Sequence, residues 1–67
     1  MTDQQFRRAL LRLGFHTRGQ AVHALGISRS SVVRYSRPGG RTPLVVDRII
    51  ELLDENGVPE RLRLEAD

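Results

Sequence analysis

Between Arg29 and Arg37 the sequence RSSVVRYSR sets three arginines around Ser30 and Val33. If this stretch is helical, with Val32 and Tyr35 turned inward at i and i+3, then Ser30, Val33, Arg34 and Arg37 face outward and Arg29 lies at the margin. These side chains suit the edges of bases in a DNA major groove. An arginine bonds guanine O6 and N7 together, a serine reaches a base edge or a phosphate, and a valine meets a thymine methyl. A second group suits phosphates. Thr17, Arg18, Gly19 and Gln20 open a short helix, whose first turn offers free N–H groups and the positive end of its dipole. Gly19 either lets a sugar–phosphate strand approach the backbone or is an inexpensive first-turn glycine. Ser28, at the start of the arginine-bearing helix, belongs with them. So does the run Gly39-Gly40-Arg41-Thr42, which reads as a further phosphate cradle or as a flexible linker. Groups of this kind position a protein on DNA without reading its sequence.

Other chemistry is poorly provided for. His16 and His23 stand seven apart with no cysteine and no carboxylate pair beside them, so no metal site is expected. Asp54 and Glu55 are neighbours on a helix end and cannot face one another. No serine has a histidine and a carboxylate at a recognisable spacing, and the glycine pair fits no phosphate-loop pattern. We expect no catalytic activity, no cofactor and no small-molecule ligand.

The elements that must hold these residues are marked by their ends and periods. Thr2 and Gln5 form a capping box, followed by Phe6, Ala9, Leu10 and Leu13 at i, i+3, i+4 and i+7 and a stop at Gly14. Thr17 and Gln20 repeat the box for a second helix carrying Ala21, Val22 and Leu25, which ends at Gly26. Ser28 caps the third helix, with Ile27 and Val32 at the two positions of a hydrophobic staple. Only Gly26-Ile27-Ser28 separates helices two and three, so they cross steeply. The third helix fades near Ser36. Thr42 is then expected to cap a fourth helix with Pro43 in its first position, running through Leu44, Val46, Ile49, Ile50 and Leu53 to Asn56, with Gly57 and Pro59 closing it. The sequence therefore predicts an all-α bundle of four short helices. Residues 1–57 form the domain and 58–67 a tail, in which Arg61-Leu62-Arg63-Leu64-Glu65 reads as a short strand, a ragged helix or disorder.

At 67 residues the chain has room for one small core, and without cysteine it has no disulfide to reinforce it. No signal peptide is expected from the first residues, and no apolar run nears the ~20 residues of a membrane span, so a cytoplasmic protein with no membrane partner is expected. The formal charge of +3 conceals a segregation. Residues 1–41 hold eight arginines against Asp3 alone, a net +7, whereas residues 42–67 hold three against seven acids, a net −4. A concentrated positive face is the footprint of a polyanion partner.

The stretch QAVHALGISRSSVVRY, from Gln20 to Tyr35, resembles the helix-turn-helix of the phage-repressor (Cro/C1, XRE-type) superfamily. It has the turn glycine (Gly26), the aliphatic residue behind it (Ile27), the small cap (Ser28), the β-branched anchor (Val32) and a second anchor three residues on (Tyr35). The flanking helices extend the resemblance over about residues 2–57. It departs at Val22, where such motifs usually carry alanine; with Ala21 beside it, helix two is expected to be wider-set or slightly rotated. The resemblance implies that the third helix is the recognition helix and that the protein binds double-stranded DNA as a homodimer, as a repressor or autoregulator. Autoregulators of phages, plasmids and mobile operons, the anti-CRISPR-associated repressors among them, share this size and plan. Val45 and Leu52, left over once the core stripe of helix four is assigned, are the candidate dimer surface together with Leu62 and Leu64. The two tail leucines pack equally well on their own domain. Acidic residues nearby are expected to pair with arginines such as Arg48. Two other readings stay open: a protein-interaction module on the same fold, such as an antitoxin or adaptor, and a DNA-binding recombination accessory factor.

Overall fold

In the computed structural model, which describes residues 1–63, all four predicted helices form, the first three where their end signals lie: α1 Asp3–Arg12, α2 Arg18–Leu25, α3 Arg29–Ser36 and α4 Leu44–Asn56. The caps are the reason. Both capping boxes close reciprocally: Gln5 N–H donates to the Thr2 hydroxyl while Thr2 N–H donates to Gln5 Oε1, and Thr17 and Gln20 do the same. Gly14 and Gly26 follow α1 and α2 with φ of +86° and +67°, values that glycine adopts without a Cβ clash.

Ends decide where helices lie; small residues decide how they pack. Phe6, Ala9, Leu10 and Leu13 of α1, Val32 of α3, and Val46, Ile50 and Leu53 of α4 are buried, as their stripes require. On α2 the buried set is Ala21, Ala24 and Leu25, and Val22 is only half-buried. The expected set of Ala21, Val22 and Leu25 is thus corrected by one face: the helix is turned so that two alanines meet its neighbours. Phe15, in the link between α1 and α2, is a core residue that helical periodicity did not reveal. Tyr35 stands edge-on to Phe6, with ring centroids 5.8 Å apart and an interplanar angle of 89°, the geometry that aromatic quadrupoles favour. α3 packs on both α1 and α2, and α4 packs on α2. The radius of gyration, 10.9 Å, equals the ~10.9 Å expected of a compact chain this long.

α4 begins one residue later than expected. Pro43 occupies the cap position with no side-chain hydrogen bond, and Thr42 caps nothing. Instead the Met1 ammonium donates to the Thr42 hydroxyl (2.8 Å) and to both Asp47 carboxylate oxygens (3.0 Å each), while Thr42 also donates to Asp47. The Thr42 N–H donates to the Met1 carbonyl (3.1 Å), and Thr2 and Arg41 form an isolated antiparallel bridge. At the other end of α4, Arg12 of α1 makes a two-pronged contact with Asp54 (3.0 and 2.6 Å). Ionic clasps therefore tie both ends of α4 to the N-terminal segment and α1. Arg48 has no carboxylate within 4.0 Å among the described residues, so the pairing expected of it with nearby acids is not found there.

After Pro59 the chain makes one 3-10 turn, Glu60–Leu62. Val58 and Leu62 pack on the core, and the His23 ring donates to the Arg61 carbonyl (3.2 Å). No helix among the described residues is long and apolar enough to cross a membrane.

Candidate nucleic-acid interface

The orientation of α3 follows from the turn that precedes it. Gly26 is left-handed, its N–H donates to the Val22 carbonyl (3.0 Å), and a Cβ placed there would meet nothing within 4 Å. Backbone angle, not space, makes glycine the fitting residue. Ser28 then accepts from the Ser31 N–H (3.1 Å), and half-buried Ile27 packs on the core that contains Val32. With Val32 inside and Tyr35 against Phe6, the remaining face of α3 has to point away.

It does so as predicted. Arg29, Ser30, Val33, Arg34 and Arg37 are all exposed. Together with Arg18, from the first turn of α2, they line one open depression of about 420 Å³. The base-reading candidates and the principal phosphate candidate thus form one continuous surface although α2 and α3 are separate helices. None of Arg18, Arg29, Arg34 and Arg37 has a carboxylate within 4.0 Å among the described residues. The Arg34 guanidinium lies over the Tyr35 ring, 5.4 Å from its centroid. It rests against its own helix with no counter-ion to give up.

The phosphate group of the sequence reading divides into two. At α2, Thr17 and Gln20 serve as caps, and Gln20 Oε1 also accepts from the His16 N–H (2.6 Å). The Arg18 and Gly19 amides have no acceptor among the described residues, as the first turn of a helix requires. Ser28 likewise caps α3 and donates to Ser31 Oγ (2.9 Å). The second proposed cradle, Gly40-Arg41-Thr42, is put to other use. The Gly40 N–H donates to the Arg37 carbonyl (2.9 Å), and a Cβ on Gly40 would sit 2.4 Å from the Arg34 carbonyl oxygen and 2.9 Å from that of Tyr35. Gly40 is glycine because the chain folds back across the end of α3. The Thr42 hydroxyl is held in the Met1–Asp47 clasp, and the Asp47 carboxylate already stands in the first turn of α4. Arg41 is left as the exposed cation of that loop.

Elsewhere three ion pairs form among the described residues, Met1–Asp47, Arg7–Asp3 and Arg12–Asp54, while Arg8 and Arg48 have no carboxylate within 4.0 Å. Burial acts to raise the Asp47 carboxyl, but hydrogen bonds from Thr42 and the Met1 ammonium, with the latter's charge, outweigh it and hold Asp47 below its ordinary range. The Arg12 hydrogen bond lowers Asp54 against a smaller opposing effect of burial, and the same contact raises Arg12. Arg7 donates to Asp3 (2.9 Å) and to the Ser36 carbonyl.

Of the dimer candidates, Val45 (63% exposed) and Leu52 (58%) lie open, joined by Leu44 (70%), which the expected core stripe had included. Leu62 is half-buried and packs on its own domain, the other reading open for the tail leucines. Leu64 lies outside the described residues. Among the described residues no cluster of three or more His, Cys, Asp or Glu side chains could hold a metal. No family model, curated protein or solved structure matches this chain.

Proposed function

We propose that the chain is a double-stranded-DNA-binding protein of helix-turn-helix type, with α3 as the helix that enters the major groove. More particularly, we infer a transcriptional repressor or autoregulator that acts as a homodimer. The observation that carries this reading is the single surface formed by Arg18, Arg29, Ser30, Val33, Arg34 and Arg37, in which four guanidinium groups lack a carboxylate partner among the described residues. The order Gln20, Gly26, Ile27, Ser28, Val32, Tyr35, which resembles the phage-repressor motif, supports it.

The contacts then sort by chemistry. Arg34 and the flanking arginines bond guanine edges, Ser30 bonds a base edge or phosphate, and Val33 meets a thymine methyl. Arg18 and the unpartnered Arg18 and Gly19 amides take phosphate oxygens and fix the register of α3 in the groove. Leu44, Val45 and Leu52 of α4 supply an apolar patch for a twofold partner. Two recognition helices would then read half-sites about one helical turn, ~34 Å, apart. Occupying a promoter in this way excludes polymerase.

Selection of bound duplexes from random DNA, followed by affinity measurement across salt concentrations, tests the proposal. The expected result is an inverted repeat bound with a steep negative dependence of log K on log salt, since every neutralised phosphate releases counterions. Enrichment of no sequence, with salt-insensitive binding, would overturn it.

A further inference from the structure

A second concavity adjoins the proposed DNA face and has a different chemistry. It is an open groove of about 440 Å³ between α1, the start of α2 and α3. Leu10 and Phe15 contribute its apolar floor, and Leu11 and Val33 project along it, exposed by 61% and 38%. Arg18 and Arg37 stand on its rim, and no carboxylate lines it. Leu11 is the unexplained residue. It lies beside Leu10 and two before Leu13, which are buried at 9% and 8%, yet it has no core contact to make and no place among the base-reading or phosphate-binding groups.

We propose that this groove docks an acidic amphipathic helix of a partner protein, and that the docked helix competes with DNA. The apolar floor calls for leucine-like anchors laid along a groove, one of the recurring modes of peptide recognition. The rim calls for flanking carboxylates, because Arg18 and Arg37 have no internal counter-ion among the described residues, whereas Arg7, which also lines the groove, is already paired with Asp3. The groove is too open to bury most of a small molecule. A phosphodiester strand would satisfy Arg18 and Arg37 but leave Leu11 uncovered. Competition follows from shared residues: Arg18, Val33 and Arg37 line both this groove and the DNA-facing depression. The competition rests on the DNA-binding reading; the docking does not.

The test uses the full chain, a fluorescent amphipathic peptide with leucines at i, i+3, i+4 and i+7 flanked by glutamates, and a scrambled peptide of the same composition. Anisotropy reads peptide and duplex binding separately and in competition. The ordered peptide is expected to bind and to displace duplex. Leu11→Asn is expected to weaken the peptide about tenfold while leaving helical content and duplex affinity unchanged. Arg37→Ala is expected to weaken both ligands. Failure of the ordered peptide to bind, equal binding of the scrambled one, or equal loss of duplex and peptide in Leu11→Asn would each overturn the proposal. A chain that takes the peptide through Leu11 yet binds no duplex would uphold the docking site and overturn the DNA-binding reading.

Discussion

Arginine does two different jobs on two sides of this molecule. On the α1–α4 side, Arg12 is paired with Asp54 and the Met1 ammonium with Asp47, and Arg7 of α1 is paired with Asp3 where α1 meets the end of α3. On the α2–α3 side, Arg18, Arg29, Arg34 and Arg37 converge on one depression without a carboxylate among the described residues. Composition cannot separate the two uses, because the residue type is the same. What separates them is whether the fold delivers an acid to the same place. Where it does, as for Arg12 and Asp54, arginine fastens one helix to another; where it does not, the positive charge remains available to an outside polyanion.

The sharpest way to break this contrast is at Arg34. Arg34→Ala should lower affinity for the selected duplex about ten- to hundredfold, the worth of one bidentate guanine contact. Its thermal unfolding and helical circular dichroism should match wild type, since Arg34 holds no other element in place. Undiminished duplex affinity would remove α3 from the recognition role.

Asp47→Asn probes the other side. It takes the charge from a half-buried clasp that joins the N-terminus, Thr42 and α4. We expect a loss of about 1–2 kcal/mol, which in a chain this small lowers Tm by several degrees, with duplex affinity unchanged at a temperature where both proteins are folded. The same clasp sets an acid limb. Asp47 and Asp54 titrate below their ordinary range in the folded state. Their contribution is therefore full above the unfolded carboxylate range, near pH 4, and is lost as pH falls through the folded values. Wild-type Tm should drop below about pH 4, and Asp47→Asn should flatten that drop. Parallel acid limbs in the two proteins would mean that Asp47 is not held by the clasp.

Why some of this was legible in sequence and some was not has a physical basis. Caps and glycine stops are satisfied within four residues of one another, so Thr2–Gln5, Thr17–Gln20, Ser28 and Gly26 could be read locally. The outward set on α3 followed from two inward anchors and the 100° step of a helix. The rotation of α2 was harder to read. Its run Ala21-Val22-His23-Ala24-Leu25 offers two overlapping stripes, and packing chose the one that buries both alanines. Phe15 lies between helices, where periodicity carries no signal. The clasps at Asp47 and Asp54 join residues 46 and 42 positions apart, and only the assembled fold brings them together. That same clasp drew Thr42 away from the cap and the phosphate roles expected of it. Leu44, one position off the buried stripe, emerged as surface once α4 was seated.

A smaller effect is expected at Arg18, where the contrast concerns position rather than reading. Arg18→Ala should weaken all duplex sequences alike and reduce the salt slope by about one unit, the loss of one phosphate contact. A loss confined to one base pair would instead make Arg18 a reader.

The smallest expected effect belongs to Arg12→Gln, and its smallness is informative. Arg12 and Asp54 make a well-formed bidentate contact, yet both stand at the surface, where water and salt screen the pair and ordering two side chains offsets much of the attraction. The variant should shift Tm barely beyond measurement error and leave duplex affinity and salt slope unchanged. A double-mutant cycle with Asp54→Asn should return a coupling that shrinks as salt is added. If Arg12→Gln instead reduced the salt slope as Arg18→Ala does, its guanidinium would be exchanging Asp54 for a phosphate. The division of this molecule into a fastened side and an open one would then fail at the residue where the fastening is geometrically best.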